Sequence, residues 1–263
     1  MARVRLDQLL VDRRLAPSRA AAQSMLLAGE VELARAPSRN LKPGQLVPAD
    51  AEVSVVPRPR WASRAGDKLE AALDAFALDV HGLACLDAGA STGGFTDVLV
   101  TRGARIVYAV DVGRGQLIER LRRDPRVVSM ERTNLRELRD LPERVDLATL
   151  DLSFISLALV LPAVRRLLKQ EGNVIALVKP QFEAGREAVP RGGVVRDPHV
   201  HRRVLLDVGV AAGASGFGPC GLKRSPVTGS DGNVEFLALL GPPPGMKLSQ
   251  WEERATAAAE ASV

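Results

Sequence analysis

Only two cysteines occur in the 263 residues, Cys85 and Cys220, and no short metal-ligand spacing joins them. That argues against a disulfide framework or a zinc site, and no resident metal is expected. Apolar runs are broken every few residues by charge, glycine or proline, and none approaches the roughly 20 residues that cross a bilayer. The segment from Met1 to Arg14 holds no apolar stretch of the kind a secretory leader carries, so a cytoplasmic protein is expected. Phe, Tyr and Trp are missing altogether from the first sixty residues. Nucleic acid bound there would be held through phosphates and shape, without stacking on rings.

The hydrophobic content of 46%, against 25% charged residues, is that of a folded protein with one or two cores. Charge is unevenly placed. Residues 1–60 carry ten Lys and Arg against six Asp and Glu, whereas residues 61–263 carry 26 against 25. The basic excess therefore sits in the first quarter of the chain, as a phosphate-binding surface or as a solvated face.

That quarter reads as two short amphipathic helices and a small β unit. Leu6, Leu9, Leu10 and Val11 form one apolar stripe; Pro17-Ser18 opens a second helix, whose Ala21, Ala22, Met25 and Leu26 recur until Gly29. Strands are expected over 31–33 and 53–56, joined through Lys42-Pro43-Gly44. So small a unit has a marginal core of its own. Residues 57–62, beginning Pro57-Arg58-Pro59-Arg60, read as a stiff linker.

From Ser63 helices alternate with apolar strands, the signature of a largely parallel sheet covered on both faces. Strands are expected at 84–87, 106–111, 127–130, 147–151 and 174–178, with helices at 64–76, up to 102, near 116–122 and at 157–168. The last two strands, 221–227 and 234–240, flank Gly229-Ser230-Asp231-Gly232-Asn233 and predict a hairpin that closes the sheet with an antiparallel strand. After Pro242-Pro243-Pro244, residues 243–263 read as a frayed or weakly docked helix.

The segment Asp87-Ala88-Gly89-Ala90-Ser91-Thr92-Gly93-Gly94 ends the first of these strands in a carboxylate and continues through close-set glycines into a helix. Such a turn lets backbone approach a ligand at the carboxyl edge of the sheet, and Asp111, ending the next strand, can accept hydrogen bonds from ribose hydroxyls. Together they point to an adenosyl cofactor. The spacing is not G-x-G-x-x-G, which disfavours a dinucleotide pyrophosphate and favours S-adenosylmethionine, a cofactor without phosphate. Gly89-Ala90-Ser91-Thr92-Gly93 also matches a nucleophile elbow, with His199 or His201 as candidate base, but that leaves Asp87 and Asp111 without a role.

Four ionisable residues are delivered towards the same edge. Asp151 and Lys179 each end an apolar strand, Lys68 precedes the first strand, and Glu235 begins the last. The set is formally neutral.

On Leu86–Thr96, Asp111–Leu117, Glu131–Asn134, Asp151–Leu157 and Val178–Glu183, residues 61–240 resemble the FtsJ-type RNA 2′-O-methyltransferases. With the first sixty residues the chain resembles the TlyA family of ribosomal RNA cytidine 2′-O-methyltransferases, some of them called hemolysins. The front unit is similar to a small alpha-L RNA-binding module through Arg5–Val11, Ser18–Gln23 and Gly29–Val31. The resemblance implies a Rossmann-like α/β methyltransferase domain over 63–242, preceded by a small α+β RNA-binding domain over 1–60. It implies a catalytic tetrad of Lys68, Asp151, Lys179 and Glu235, and cofactor residues Asp87, Gly89, Ser91, Thr92, Gly93, Gly94, Asp111 and Asn134. RNA contacts are expected from Arg3, Arg5, Arg13, Arg14, Ser18, Arg19, Arg58 and Arg60, with ribosomal RNA or a ribosomal subunit as partner. Two departures from the family pattern are visible: the linker arginine is out of register with Trp61, and the loop near 35–40 lacks Asn-Gly.

Chemistry supports the same assignment. A ribose hydroxyl is a weak acid, so its attack on a sulfonium methyl needs a base and close positioning. A free lysine, at ~10.4, holds its proton at neutral pH; burial and a second cation favour the neutral amine, and an adjacent carboxylate opposes them. Lys179 is the expected base, with Asp151 and Lys68 tuning it and Glu235 organising hydrogen bonds. The segment Asp151-Leu152-Ser153-Phe154 lacks the Pro-Pro of exocyclic-amine enzymes, and neither cysteine is placed as a carbon-5 nucleophile. A ribosome-binding protein without turnover is the alternative from another class. The loop 185–197, rich in Gly, Arg and Pro, is expected to be mobile over the RNA side of the pocket.

Overall fold

The computed structural model describes residues 3–27, 31–34, 41–55, 60–229 and 232–261. The chain divides into two compact units, Met1–Arg60 and Trp61–Val263.

In the first unit β1 (Arg3–Arg5) runs into α1 (Leu6–Asp12) and α2 (Arg19–Leu27), followed by β2 (Val31–Leu33), β3 (Leu46–Pro48) and β4 (Val53–Val55). β1 pairs antiparallel with β3, and β2 with β4. The apolar stripe Leu6, Leu9, Leu10 is buried against Ala22, Leu26, Val31, Leu33 and Val47. Beneath it Asp7 is fully buried. Its carboxylate accepts from Arg5 Nε (3.0 Å) and Nη2 (2.8 Å), Gln23 Nε2 (3.0 Å) and Arg19 Nη2 (3.3 Å). Above all the Arg5 hydrogen bond, opposed by burial, holds this acid well below the usual carboxylate range. The strands over Arg3–Arg5 and Leu46–Pro48 carry too short a pattern to be legible in the sequence.

The second unit contains α3 (Ala65–Ala75), β5 (Ala84–Ala88), α4 (Gly94–Thr101), β6 (Ile106–Val110), α5 (Glu119–Arg122), β7 (Val127–Met130), β8 (Val145–Leu150), α6 (Leu157–Leu167) and β9 (Leu168–Val178). α7 (Pro180–Glu183), α8 (Pro198–Ala214), β10 (Gly218–Arg224), β11 (Phe236–Gly241) and α9 (Leu248–Glu260) complete it. Among the described residues these strands form one seven-stranded sheet in the order β10-β11-β9-β8-β5-β6-β7. β5 to β9 are mutually parallel, and β11 runs antiparallel to both β9 and β10. Strand order reverses between β5 and β8, and a crevice opens outside their carboxyl ends at that switch point.

Side chains alternate across the sheet. Leu86, Ala88, Ala148, Leu150 and Val178 face a layer containing Val160, Leu161, Val204, Leu205 and Trp251; Cys85, Leu147, Ile175 and Leu177 face Leu69, Leu73, Val98 and Leu99. The expected helix near 116–122 contracts to one turn, because residues 111–118 form a loop whose Gly113 and Gly115 amides donate to Asp111 and Glu131. β10 ends at Arg224 and not at Val227, where Ser225 Oγ bonds both N and O of Val227.

The chain end is not weakly docked. α9 buries Trp251 completely, together with Ala255, Ala258 and Ala259. The indole Nε1 donates to Leu205 O at 2.9 Å, and a side chain at Gly209 would clash with the same ring. A glycine on α8 and an alanine face on α9 allow the close approach that the polar-looking sequence of the tail conceals. No helix among the described residues is long and apolar enough to cross a membrane.

Candidate active site

A cavity of about 500 Å³ lies outside the ends of β5, β6 and β8. From the glycine-rich turn, Gly89 and Ser91 line it. Gly89 has φ +86°, and a Cβ there would come within 2.3 Å of the Asp151 carbonyl oxygen, so only glycine lets the turn pass the end of β8 this closely. Thr92, Gly93 and Gly94 do not line the cavity and shape the entry to α4: Thr92 O accepts from Ile118 N, and Gly94 lies against Ser63.

Asp111 ends β6 and lines the cavity. Its Oδ1 accepts from Gly113 N (2.7 Å) and its Oδ2 from Ser91 N (2.8 Å). Each oxygen retains acceptor capacity for a further donor. Ser91 Oγ donates to Gln116 Oε1 at 3.1 Å. Asn134 lines the cavity while its amide serves a local turn, donating to Glu137 and accepting from Arg136 N. Val112, Gln116, Thr133, Leu135, Ser153 and Phe154 also line the cavity and were not singled out in the sequence. Each follows a strand end by a few residues, which is the one signal that could have found them.

Asp87 does not face the cavity. It shares a face of β5 with Cys85, fully buried beneath α4, where Thr96 Oγ1 donates to Oδ2 at 2.6 Å and Thr149 Oγ1 lies 3.2 Å from Oδ1. Burial pushes this carboxyl up to about 7, the Asp151 charge adding to the effect and the two threonines opposing it. The Thr149 hydroxyl is also 3.3 Å from Leu86 O. The single Thr149 proton is therefore shared between Asp87 Oδ1 and Leu86 O. In this conformation Asp87 holds the turn from behind.

The four ionisable residues come together at one edge. Lys179 Nζ is 2.6 Å from Asp151 Oδ1 and 3.3 Å from Ser153 Oγ. Lys68, from α3, forms an ion pair with Glu235. The pairing Phe236↔Val178 puts Glu235 next to Lys179 across the β11/β9 ladder, and Asp151 N donates to Ala88 O at the mouth of the glycine turn. Lys68, Lys179 and Glu235 are 8%, 9% and 3% exposed. Ion pairs this deeply buried add little to stability, because the Coulomb gain is offset by desolvation. Beside them Phe154 is 90% exposed at φ +63°, its ring 4.9 Å from that of Phe182. A bulky residue in left-handed backbone is strained, and here the strain sits at the lining of the cavity.

The nucleophile-elbow alternative is corrected by geometry. Ser91 Oγ is bonded to Gln116, while His201 is buried on α8, its Nε2 3.0 Å from Val195 O and its ring edge-on to Phe236. The loop expected to be mobile is tied at its far end, since Asn233 accepts from Val195 N and donates to Gly193 O.

The candidate RNA residues of the first unit divide. Arg3 is exposed and lines a surface groove; Arg13 is exposed and donates to Ala49 O; Arg14 is exposed at the end of α1. Arg5 and Arg19 keep about half their side-chain surface in solvent while their guanidinium groups hold Asp7. Ser18 accepts from Ala21 N at the start of α2. Arg60 is exposed, and Arg58 lies outside the described residues.

Sheet order, switch-point cavity and glycine turn are those of a methyltransferase, and comparison with known proteins agrees. Residues 61–241 match the FtsJ-like methyltransferases. The chain is 48% identical over 244 residues, 90% of each chain, to the 16S/23S rRNA (cytidine-2′-O)-methyltransferase TlyA of Mycobacterium tuberculosis. It is 37% identical over 89% of its length to Hemolysin A of Brachyspira hyodysenteriae, covering 98% of that protein. Among solved structures, a hemolysin-named protein from Streptococcus thermophilus superposes with a TM-score of 0.75 at 41% identity, over 98% of this chain and 96% of that one. The chain belongs to the FtsJ-like methyltransferases and, within them, to the TlyA family.

Proposed function

We propose that this chain transfers a methyl group from S-adenosylmethionine to the 2′-hydroxyl of a cytidine in ribosomal RNA. The observation that carries the proposal is the meeting of two buried ion pairs, Lys179 with Asp151 and Lys68 with Glu235, at the rim of a switch-point cavity. The donor set fits the cofactor: Asp111 has acceptor capacity for ribose hydroxyls, and Val110, Val112 and Leu135 offer apolar walls to an adenine. A cavity of about 500 Å³ is in the range that takes a ligand of this size. When bound, the cofactor supplies an electrophilic methyl on a sulfonium.

Lys179, once the proton it carries in its ion pair has passed to solvent, would take the hydroxyl proton as the ribose oxygen gains the methyl group, and Asp151 would stabilise the ammonium so formed. Lys68 and Glu235 hold each other at the neighbouring register position and orient the target ribose. Phe154 offers a ring face to the target base. Residues 1–60 act as an RNA-binding domain, docking ribosomal RNA through Arg3, Arg13 and Arg14. That the Mycobacterium tuberculosis relative is named for cytidine 2′-O-methylation of 16S and 23S rRNA supports the choice of substrate.

Mass spectrometry of ribosomal RNA incubated with purified protein and cofactor tests this reading. A methyl on the ribose of cytidine is expected; binding of cofactor and ribosomal subunit without methylation overturns it in favour of a ribosome-binding protein without turnover.

A further inference from the structure

The segments that carry Asp151 and Lys179 are laced together at two places. Near the sheet Lys179 meets Asp151 and Ser153, and Phe154 meets Phe182. Farther out the contact depends on Glu183, the last residue of α7. Its Oε1 accepts from Leu157 N at 2.8 Å and its Oε2 from Ser156 Oγ at 2.7 Å. Ser156 caps α6, its hydroxyl accepting from Ala158 N while donating to Glu183. Glu183 thus completes the N-terminus of a helix that begins six residues after Asp151, from a segment that begins at Lys179.

Among the described residues Glu183 forms no ion pair. Burial raises its pKa, the Leu157 and Ser156 hydrogen bonds oppose the rise, and the charge of Asp207 on α8 adds to it. Arg203, also on α8, donates to the neighbouring Ala184 O. A carboxylate without a cation is a poor choice for stability alone. What it does is fix the distance between two strand-end segments, and with them Lys179, Asp151 and Phe154.

We infer that Glu183 is a positioning residue for methyl transfer, holding the segment 151–157 against 179–183 so that Lys179 and Phe154 keep their places at the target ribose. The inference rests on the proposed function and adds to it a residue that touches neither cofactor nor RNA. Misplacement of a base by about 1 Å costs on the order of 100-fold, so Glu183→Ala is expected to lower kcat for RNA methylation by about 10- to 100-fold. Cofactor affinity by calorimetry should stay within about twofold, because Asp111, Ser91 and Gln116 lie on another wall.

Glu183→Gln, which can accept from Leu157 N and donate to Ser156 Oγ, should restore most of kcat. Ser156→Ala should lower kcat in the same direction, and the double variant Ser156→Ala, Glu183→Ala should fall no further than Glu183→Ala alone. If Glu183→Ala does not fold, Ser156→Ala and Glu183→Gln carry the test through the same readouts. Unchanged kcat in Glu183→Ala or Ser156→Ala, or parallel loss of kcat and cofactor binding, overturns the inference. Absence of methylation by the wild-type chain would instead overturn the proposed function, so the two failures are distinct.

Discussion

Asp7 in the first unit and Asp87 in the second are both 0% exposed, yet one meets two arginines and a side-chain amide and the other meets two threonines. Two arginines and Gln23 converge on Asp7, and it stays charged. Two threonines face Asp87, and burial lifts it to about 7. The first arrangement spends basic side chains on the fold: Arg5 and Arg19, in a unit noted for its positive charge, have their guanidinium groups directed inward. The second keeps cations away from the strand end and leaves Lys179 and Lys68 paired with carboxylates at the cavity rim. Net charge therefore overstates how many free cations the first unit presents to solvent. In the second unit near-neutrality conceals the residues with most to do.

The contrast can be broken most forcefully at Lys179. Lys179→Ala is expected to lower methyl transfer by about 10³-fold, within the range for loss of a general base, while cofactor binding by calorimetry is unchanged. Comparable turnover would remove Lys179 from its role.

The two aspartates make opposite pH predictions, readable separately by hydrogen exchange of each unit. Folded Asp87 keeps a proton that the unfolded chain has released above about pH 4, so its contribution to stability is present at lower pH and is lost as pH rises to about 7. The loss is at most about 4 kcal/mol, and Asp87→Asn, an uncharged isostere, should abolish that slope. Asp7 behaves in reverse. Its folded pKa is lowered, so its stabilisation is complete above the unfolded value and is lost as pH falls through acid. Asp7→Asn should cost the first unit about 2 kcal/mol by removing charge-assisted hydrogen bonds, with cofactor binding untouched. Equal pH slopes in the two units would contradict the distinction.

The smallest effect separates the arginines of the first unit. Arg13→Ala should reduce the slope of log affinity for ribosomal RNA against log salt by about 1, with kcat at saturating RNA unchanged. Arg5→Ala should instead weaken the unit itself, seen as faster exchange at Leu6, Leu9 and Leu10.

Strand ends were legible because an apolar run closing on a charge is a strong local signal: Asp111, Asp151 and Lys179 all follow such runs. Asp87 followed one too, but the side to which a side chain points on a strand buried on both faces is set by which helix covers it. Here that is α4 with Thr96. The meeting of Lys68 with Glu235 spans 167 positions and came from family resemblance, since no local pattern encodes it. Gln116, Phe154 and Glu183 sit on short loops or a single helical turn, where periodicity carries no information. Trp251 was hidden by an alanine-rich tail whose partner is a single glycine on α8.

The most direct test is nucleoside mass spectrometry of ribosomal RNA after incubation with S-adenosylmethionine and either the wild-type chain or Lys179→Ala. The expected result is 2′-O-methylcytidine formed by the wild type and essentially none by the variant, with both proteins binding cofactor equally. Methylation of a base, or equal ribose methylation by the two proteins, would contradict the assignment of the paired lysines and carboxylates to ribose chemistry.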